Sequence, residues 1–189
     1  GTVSCTPTTV YYGQSAQCTA VPNAGYSFAA WTGNCAGQSA TCSLSNIAAN
    51  KLSQASFAAN GTLTVTKTLT GTTFAAATSY NFSVSCQTPT ATYTGSVGVA
   101  AGASTGSSGV SIPAGSTACT VAEDIATRPA APTNYNWGAP IYSQPAAAAM
   151  PPGGSVVAGI TNPLIKNTTL SLGKSGPASA VASGDSFDY

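Results

Sequence analysis

The chain has 189 residues, 43% of them hydrophobic and only 5% charged, with 5 basic and 4 acidic residues and a net charge of +1. So little charge excludes electrostatic capture of nucleic acid or of an anionic membrane surface as its main work. There is no histidine, which removes histidine acid–base catalysis and His-ligated metal centres, and no apolar run approaches the ~20 residues that span a bilayer. Thr, Ser, Ala, Gly and Asn dominate, as in extended, secreted β-proteins with frequent turns. Pro145–Met150 is the one helix-like stretch, and prolines flank it. Gly1 opens directly on a strand-like segment, as in a mature chain or an excised piece of one.

Residues 1–59 form the first readable segment. Short strands are predicted at Thr2–Cys5, Ala16–Ala20, Tyr26–Trp31, Ala40–Leu44 and Leu52–Phe57, separated by turn residues such as Pro22-Asn23-Ala24-Gly25. A unit below about 60 residues buries little core, and disulfides compensate. Trp31, Tyr26 and Phe28 read as core anchors, with a sugar-stacking platform as the alternative. The six cysteines fall in three local pairs: Cys5 with Cys18, Cys35 with Cys42, and Cys86 with Cys119. The even count and the absence of C-x-x-C spacing favour disulfides over zinc, and so an oxidising environment. The pairing is read from proximity alone, since six cysteines allow about 15 connectivities.

The patterns Gly1-Thr-Val-Ser-Cys5, Tyr12-Gly13-Gln-Ser-Ala-Gln-Cys18, Pro22-Asn-Ala-Gly-Tyr26-Ser-Phe28, Trp31-Thr-Gly-Asn-Cys35, Cys42-Ser-Leu44 and Ala55-Ser-Phe57 cover nearly all of this segment. They resemble the divergent bacterial surface repeats related to the internalin B-repeat. The resemblance implies a small β-grasp-like, all-β module of long surface proteins, with no catalytic residue to transfer.

Residues 60–170 form the second segment. In Thr62–Leu69 one face carries only threonine and the other carries Leu63, Val65, Lys67 and Leu69, so an inward apolar face takes Lys67 into the core. Tyr80–Cys86 is the next predicted strand. Gly95–Gly109 reads as a loose strand and loop. Cys119, Val121 and Glu123 share a strand face. Arg128–Pro152 reads as a loop with a short strand near Tyr135–Trp137. Ser155–Asn162 is the last strand, with Val156, Ala158, Ile160 and Asn162 on one face. These strands, with Cys86 joined to Cys119, predict an immunoglobulin-like β-sandwich. Residues 171–189 are too short for a domain.

Lys67, Glu123 and Asn162 are three unusual residues on inward parity in three separate strands. If the first and last strands are neighbours, a lysine amine meets an asparagine amide beside a carboxyl group. Desolvation favours the neutral amine and the neutral acid. Such an amine can attack the Asn162 carbonyl while Glu123 polarises the oxygen and shuttles protons, releasing ammonia and leaving a Lys–Asn isopeptide bond. Two other readings stay open: Lys67 as an exposed edge-strand gatekeeper, and a buried, unreacted Lys67–Glu123 ion pair.

The motifs Val65-Thr-Lys67, Cys119-Thr-Val-Ala-Glu123-Asp and Ile160-Thr-Asn162 resemble the first-strand lysine, E-box glutamate and last-strand asparagine of collagen-adhesin B-type domains. That resemblance implies a segment of a Gram-positive adhesin or pilus shaft with an internal crosslink, Glu123 being its autocatalytic residue. The Cys86–Cys119 pair departs from that family's general pattern. Ser171-Leu-Gly-Lys-Ser-Gly-Pro177 with Gly184-Asp-Ser-Phe-Asp-Tyr189 resembles the opening strands of another bacterial immunoglobulin-type surface repeat.

The expected function is a structural stalk segment of a secreted or surface-displayed adhesin or fibre. Its expected partners are neighbouring domains or subunits and a host or matrix ligand, with no nucleic acid, membrane insertion, metal or cofactor. One alternative is a self-assembling filament subunit that uses residues 171–189 for strand addition. Another is a carbohydrate- or matrix-binding module with Trp31, Trp137 and the tyrosines as stacking surfaces. With Glu123, Asp124, Asp185 and Asp188 as the only carboxylate side chains, no hydrolytic acid–base pair is evident.

Overall fold

Alternating threonine and apolar residues, rather than helical periods, organise nearly the whole chain, and the computed structural model follows that pattern. It describes residues 1–145 and 149–168. The N-terminal residues build two small sheets. In one, β1 (Thr2–Thr6), β2 (Ala16–Val21) and β4 (Thr41–Leu44) lie in the order β1-β2-β4; in the other, β3 (Tyr26–Gly33) pairs with β5 (Ser53–Ala59). Between them lie Cys18, Ala20, Trp31, Cys35 and Cys42, with Phe28, Leu44 and Phe57 packed around. This is a small core, and two disulfides, Cys5–Cys18 and Cys35–Cys42, staple it. Trp31 is buried, with its indole N–H donating to the Ser39 carbonyl at 2.7 Å, so it is a core anchor and not an open platform. Tyr26 departs from the expectation: it is 50% exposed, at the start of β3 where the sheet ends.

β5 runs almost directly into β6 (Gly61–Thr70), with Asn60 alone between them. The Asn60 backbone N–H donates to the Gly25 carbonyl, its side-chain oxygen accepts from Ser27 Oγ, and its side-chain nitrogen donates to Ser111 Oγ. A single residue, bonded to both sides, joins the two parts of the chain.

The described residues from Gly61 onward form a two-sheet sandwich. β7 (Thr78–Gln87), β8 (Thr90–Val99) and β10 (Thr120–Glu123) form one sheet in the order β10-β7-β8. β9 (Thr105–Ile112), β11 (Tyr135–Trp137), β12 (Ile141–Ser143) and β13 (Ser155–Lys166) join β6 in the order β11-β13-β6-β9, with β12 also on β13. Leu63, Val65, Phe82, Val84, Val97, Ile112, Val121 and Ile160 fill the space between. Burying each such side chain contributes roughly 1.5–3 kcal/mol. Cys86–Cys119 is the third disulfide, linking β7 to the approach of β10.

Three expectations are corrected here. Residues 95–109, read as a loose strand and loop, hold the end of one long strand, β8, and the start of another, β9, joined by a five-residue turn, and the stretch 128–152 carries β12 as well as β11. The last strand does not end at Asn162. It runs through Pro163 to Lys166, because Pro163 falls where β13 exchanges one neighbour for another: β12 pairs with residues 159–161 and β11 with residues 164–166. A residue without an N–H fits that seam. Among the described residues, no helix is long and apolar enough to cross a membrane.

Candidate crosslinking site

Strand order decides where the lysine goes. β6 lies inside its sheet, between β13 and β9, so Lys67 is not an edge gatekeeper; it is fully buried. β13 runs parallel to β6 with Ile160 opposite Lys67, which puts Asn162 on the same inward face, two residues further on. Glu123 ends β10 in the facing sheet, in register with Phe82. Gly71 follows β6 with φ +92, and a Cβ there would lie 2.0 Å from the Leu164 carbonyl oxygen, so only glycine lets the chain turn so close beside β13.

The three residues singled out from sequence meet at one point. Lys67 Nζ donates to Glu123 Oε1 at 2.5 Å, and Asn162 Nδ2 donates to Oε1 at 2.9 Å and to Oε2 at 2.8 Å. One carboxylate oxygen therefore touches both the lysine nitrogen and the amide nitrogen. Lys67 Nζ also lies 4.5 Å from the centroid of the Tyr80 ring, whose neighbour is Trp137 at 6.2 Å. The site is backed from β12: the Glu123 N–H donates to the Tyr142 hydroxyl, and the Gln144 side-chain amide exchanges hydrogen bonds with the Val121 N–H and C=O.

Arg128 was not anticipated. Its Nε and Nη2 donate to Glu123 Oε2 at 3.0 and 2.6 Å, and its guanidinium lies 5.4 Å from the Trp137 ring centroid. It follows a 3-10 turn (Ile125–Thr127) that Asp124 caps, and no periodicity in that stretch marks it. The available signal was scarcity: it is the only arginine in the chain.

Arg128 changes the electrostatics expected for the site. Burial pushes the Lys67 amine down from 10.5 to about 8; contact with Glu123 opposes the drop, and the charge of Arg128 adds to it. Burial acts to raise the Glu123 carboxyl, but hydrogen bonds from Lys67, Arg128 and Asn162 together outweigh it and hold the group below its ordinary value. The two partners thus move in opposite senses, the lysine toward neutrality and the glutamate toward ionisation. Three converging donors make the carboxylate the firmer assignment, and the expectation of a neutral Glu123 is corrected accordingly. The expected contact with the asparagine carbonyl is corrected too. Glu123 receives Nδ2, while Oδ1 is buried without a partner among the described residues. That orientation suits an ionised carboxylate, which only accepts hydrogen bonds.

All six cysteines are in disulfides, in the pairing expected from proximity. Among the described residues there is no group of three or more His, Cys, Asp or Glu side chains that could hold a metal ion. Residues 171–189, with the third resemblance and the strand-addition reading, lie outside the described residues.

Residues 1–61 match the family described as the divergent InlB B-repeat domain, in line with the resemblance read from the first segment. Residues 63–164 match the family described as a domain of unknown function (DUF5979). No curated protein matches the chain. Among solved structures, a bacterial adhesin from Mobiluncus mulieris containing intramolecular disulfide, isopeptide and ester bond cross-links is similar at 17% identity and a TM-score of 0.37, over 79% of this chain. This chain spans 57% of that one.

Proposed function

The chain belongs to the DUF5979 domain family, and from that premise we propose that it is a structural stalk segment of a secreted or surface-displayed bacterial protein. Its two units would be residues 1–59 and 60–170, and its partners the neighbouring domains of the same protein. The observation that carries the reading is the buried meeting of Lys67, Glu123 and Asn162 between the first and last strands of the sandwich. Three disulfides fit an oxidising compartment, and the single-residue joint at Asn60 fits an extended rod.

The proposed chemistry acts on the chain itself and on no external substrate. The Lys67 amine attacks Asn162 Cγ, forming a Cγ–Nζ bond and a tetrahedral centre. One Nζ proton passes to Glu123 Oε1 and on to Nδ2; the Cγ–Nδ2 bond then breaks and ammonia leaves, so an amine and a primary amide become a secondary amide and ammonia. If Lys67 begins as an ammonium, its extra proton departs with the ammonia. A lysine that ends as an amide carries no buried charge.

Digestion of the native chain is expected to yield one branched peptide joining the Lys67 segment to the Asn162 segment. Glu123→Ala should yield the two segments separately. A wild-type digest containing only the linear peptides would end the crosslink reading.

A further inference from the structure

We infer that Arg128 is a positioning residue for the crosslinking reaction: it fixes Glu123 as a carboxylate, leaving Oε1 free to carry a proton from the attacking amine to the departing amide nitrogen. This rests on the crosslink reading above and adds to it a residue outside the lysine–glutamate–asparagine set.

Three observations support the assignment. The first is division of labour on one carboxylate. Both Arg128 contacts fall on Oε2; Asn162 Nδ2 bridges the two oxygens, at 2.8 Å from Oε2 and 2.9 Å from Oε1, and Lys67 Nζ falls on Oε1, so Oε1 is the one oxygen that touches both the nitrogen that enters and the nitrogen that leaves. The second is the charge inventory. Before reaction the buried cluster holds two cations, Lys67 and Arg128, against one anion, Glu123. After reaction Lys67 is an amide and its extra proton has left with ammonia, so one cation faces one anion. Without Arg128, consumption of Lys67 would strand Glu123 in the core with no counter-ion, and a carboxyl so placed takes up a proton. The third is that Arg128 is itself held. Its guanidinium lies over Trp137, whose indole N–H donates to the Pro129 carbonyl at 2.9 Å. The capped 3-10 turn between Glu123 and Arg128 returns the chain to the same carboxylate five residues on.

The groups facing the reacting amine are Tyr80 from β7, Glu123 from β10, Arg128 beyond the turn and Asn162 from β13, with the Tyr142 hydroxyl behind Glu123. Burial lowers the Lys67 amine most, and Arg128 lowers it further by like-charge repulsion. An ionised Glu123 asks only that the amine be neutral. The reaction should therefore accelerate about tenfold per pH unit up to about 8 and then level off, since each unit changes the neutral fraction tenfold.

The test follows ammonia loss by intact mass after full-length protein, recovered unfolded in denaturant, is refolded by dilution at a series of pH values. For Arg128→Gln the midpoint of the profile should move alkaline by about one unit, with crosslinking at pH 7 slowed about tenfold. Arg128→Lys keeps the charge but loses the fork, so its midpoint should stay near the wild-type value while its plateau rate falls. Circular dichroism establishes that each variant folds, and an Arg128→Gln chain that does not fold leaves Arg128→Lys to decide. An unmoved midpoint in Arg128→Gln, faster reaction in that variant at pH 7, or an Arg128→Lys profile identical to wild type would overturn the assignment. Wild-type protein that never loses ammonia would instead remove the crosslink itself, and this inference with it.

Discussion

Pulled from its two ends, the wild-type sandwich should not lengthen, whereas Asn162→Ala should release a step on the order of 200 Å with its disulfide intact. The direction of the strands is the reason. β6 and β13 are adjacent and parallel, so tension enters at the Gly61 end of β6 and leaves at the Lys166 end of β13. Without a covalent link, that load shears one ladder of hydrogen bonds, and residues 61–166 extend apart from the loop that Cys86–Cys119 closes. With Lys67 bonded to Asn162, the path runs from Gly61 to Lys67, across the new amide, and from Asn162 to Lys166. Residues 68–161 then bear none of the tension. The N-terminal sheets should give their own shorter step in both proteins, which serves as an internal control. Single-molecule force spectroscopy reads the difference directly, and equal step patterns for the two proteins would contradict the proposed load path.

Glu123→Gln should destabilise the fold far more than Lys67→Met. Both prevent the crosslink, which closes a loop of nearly 100 residues and by the loop-entropy estimate contributes about 4–5 kcal/mol. They differ in what they leave buried. Lys67→Met leaves Glu123 paired with Arg128, and the methionine fills the lysine's apolar path. Glu123→Gln removes the anion that both cations share: the Lys67 amine, its drop no longer opposed, must give up its proton, and Arg128 keeps a buried charge without a partner, a penalty of about 3–5 kcal/mol for a broken buried pair. In a unit of about 100 residues the gap should appear as a melting temperature lower by roughly 15–30 °C. Coincident melting curves would show that the cluster is not energetically coupled.

The pH dependence of the unreacted form has an unusual sign. Burial lowers the Lys67 amine from 10.5 to about 8 in the folded chain. Between those values the unfolded chain binds more protons, so stability rises with pH; the full cost lies below about 8 and vanishes above 10.5. Glu123, held below its ordinary value, contributes stability that is present above about 4.5 and is lost as pH falls through its lowered folded value. Asn162→Ala should therefore gain stability from pH 8 to 10.5, while the crosslinked wild type, with no lysine left to titrate, should lack that gain.

The site was legible where strand alternation is strict. β6 alternates threonine with buried residues along its whole length, and inward parity alone placed Lys67, Glu123 and Asn162 on facing surfaces. β8 and β9 were not legible because their inward positions are interrupted by glycine. A Cβ at Gly95 would sit 2.6 Å from the Phe82 ring, and one at Gly106 would sit 2.0 Å from the Gly98 carbonyl. A facing ring at Gly95 and the neighbouring strand's backbone at Gly106 occupy the inward position, and the apolar period disappears from the sequence. Arg128 was hidden for another reason. Its position depends on a short turn and a tryptophan nine residues further along the chain, and neither leaves a periodic trace. The ionised state of Glu123 is hidden with it, because desolvation alone favours the neutral acid and only the hydrogen bonds from Lys67, Arg128 and Asn162 together reverse that effect.

The most direct measurement is the intact mass of the native, unreduced, full-length chain. Beyond the hydrogens lost to three disulfides, the mass should fall short by one ammonia, a deficit abolished separately by Lys67→Ala, Glu123→Ala and Asn162→Ala. A wild-type mass that lacks only the disulfide hydrogens would contradict the crosslink.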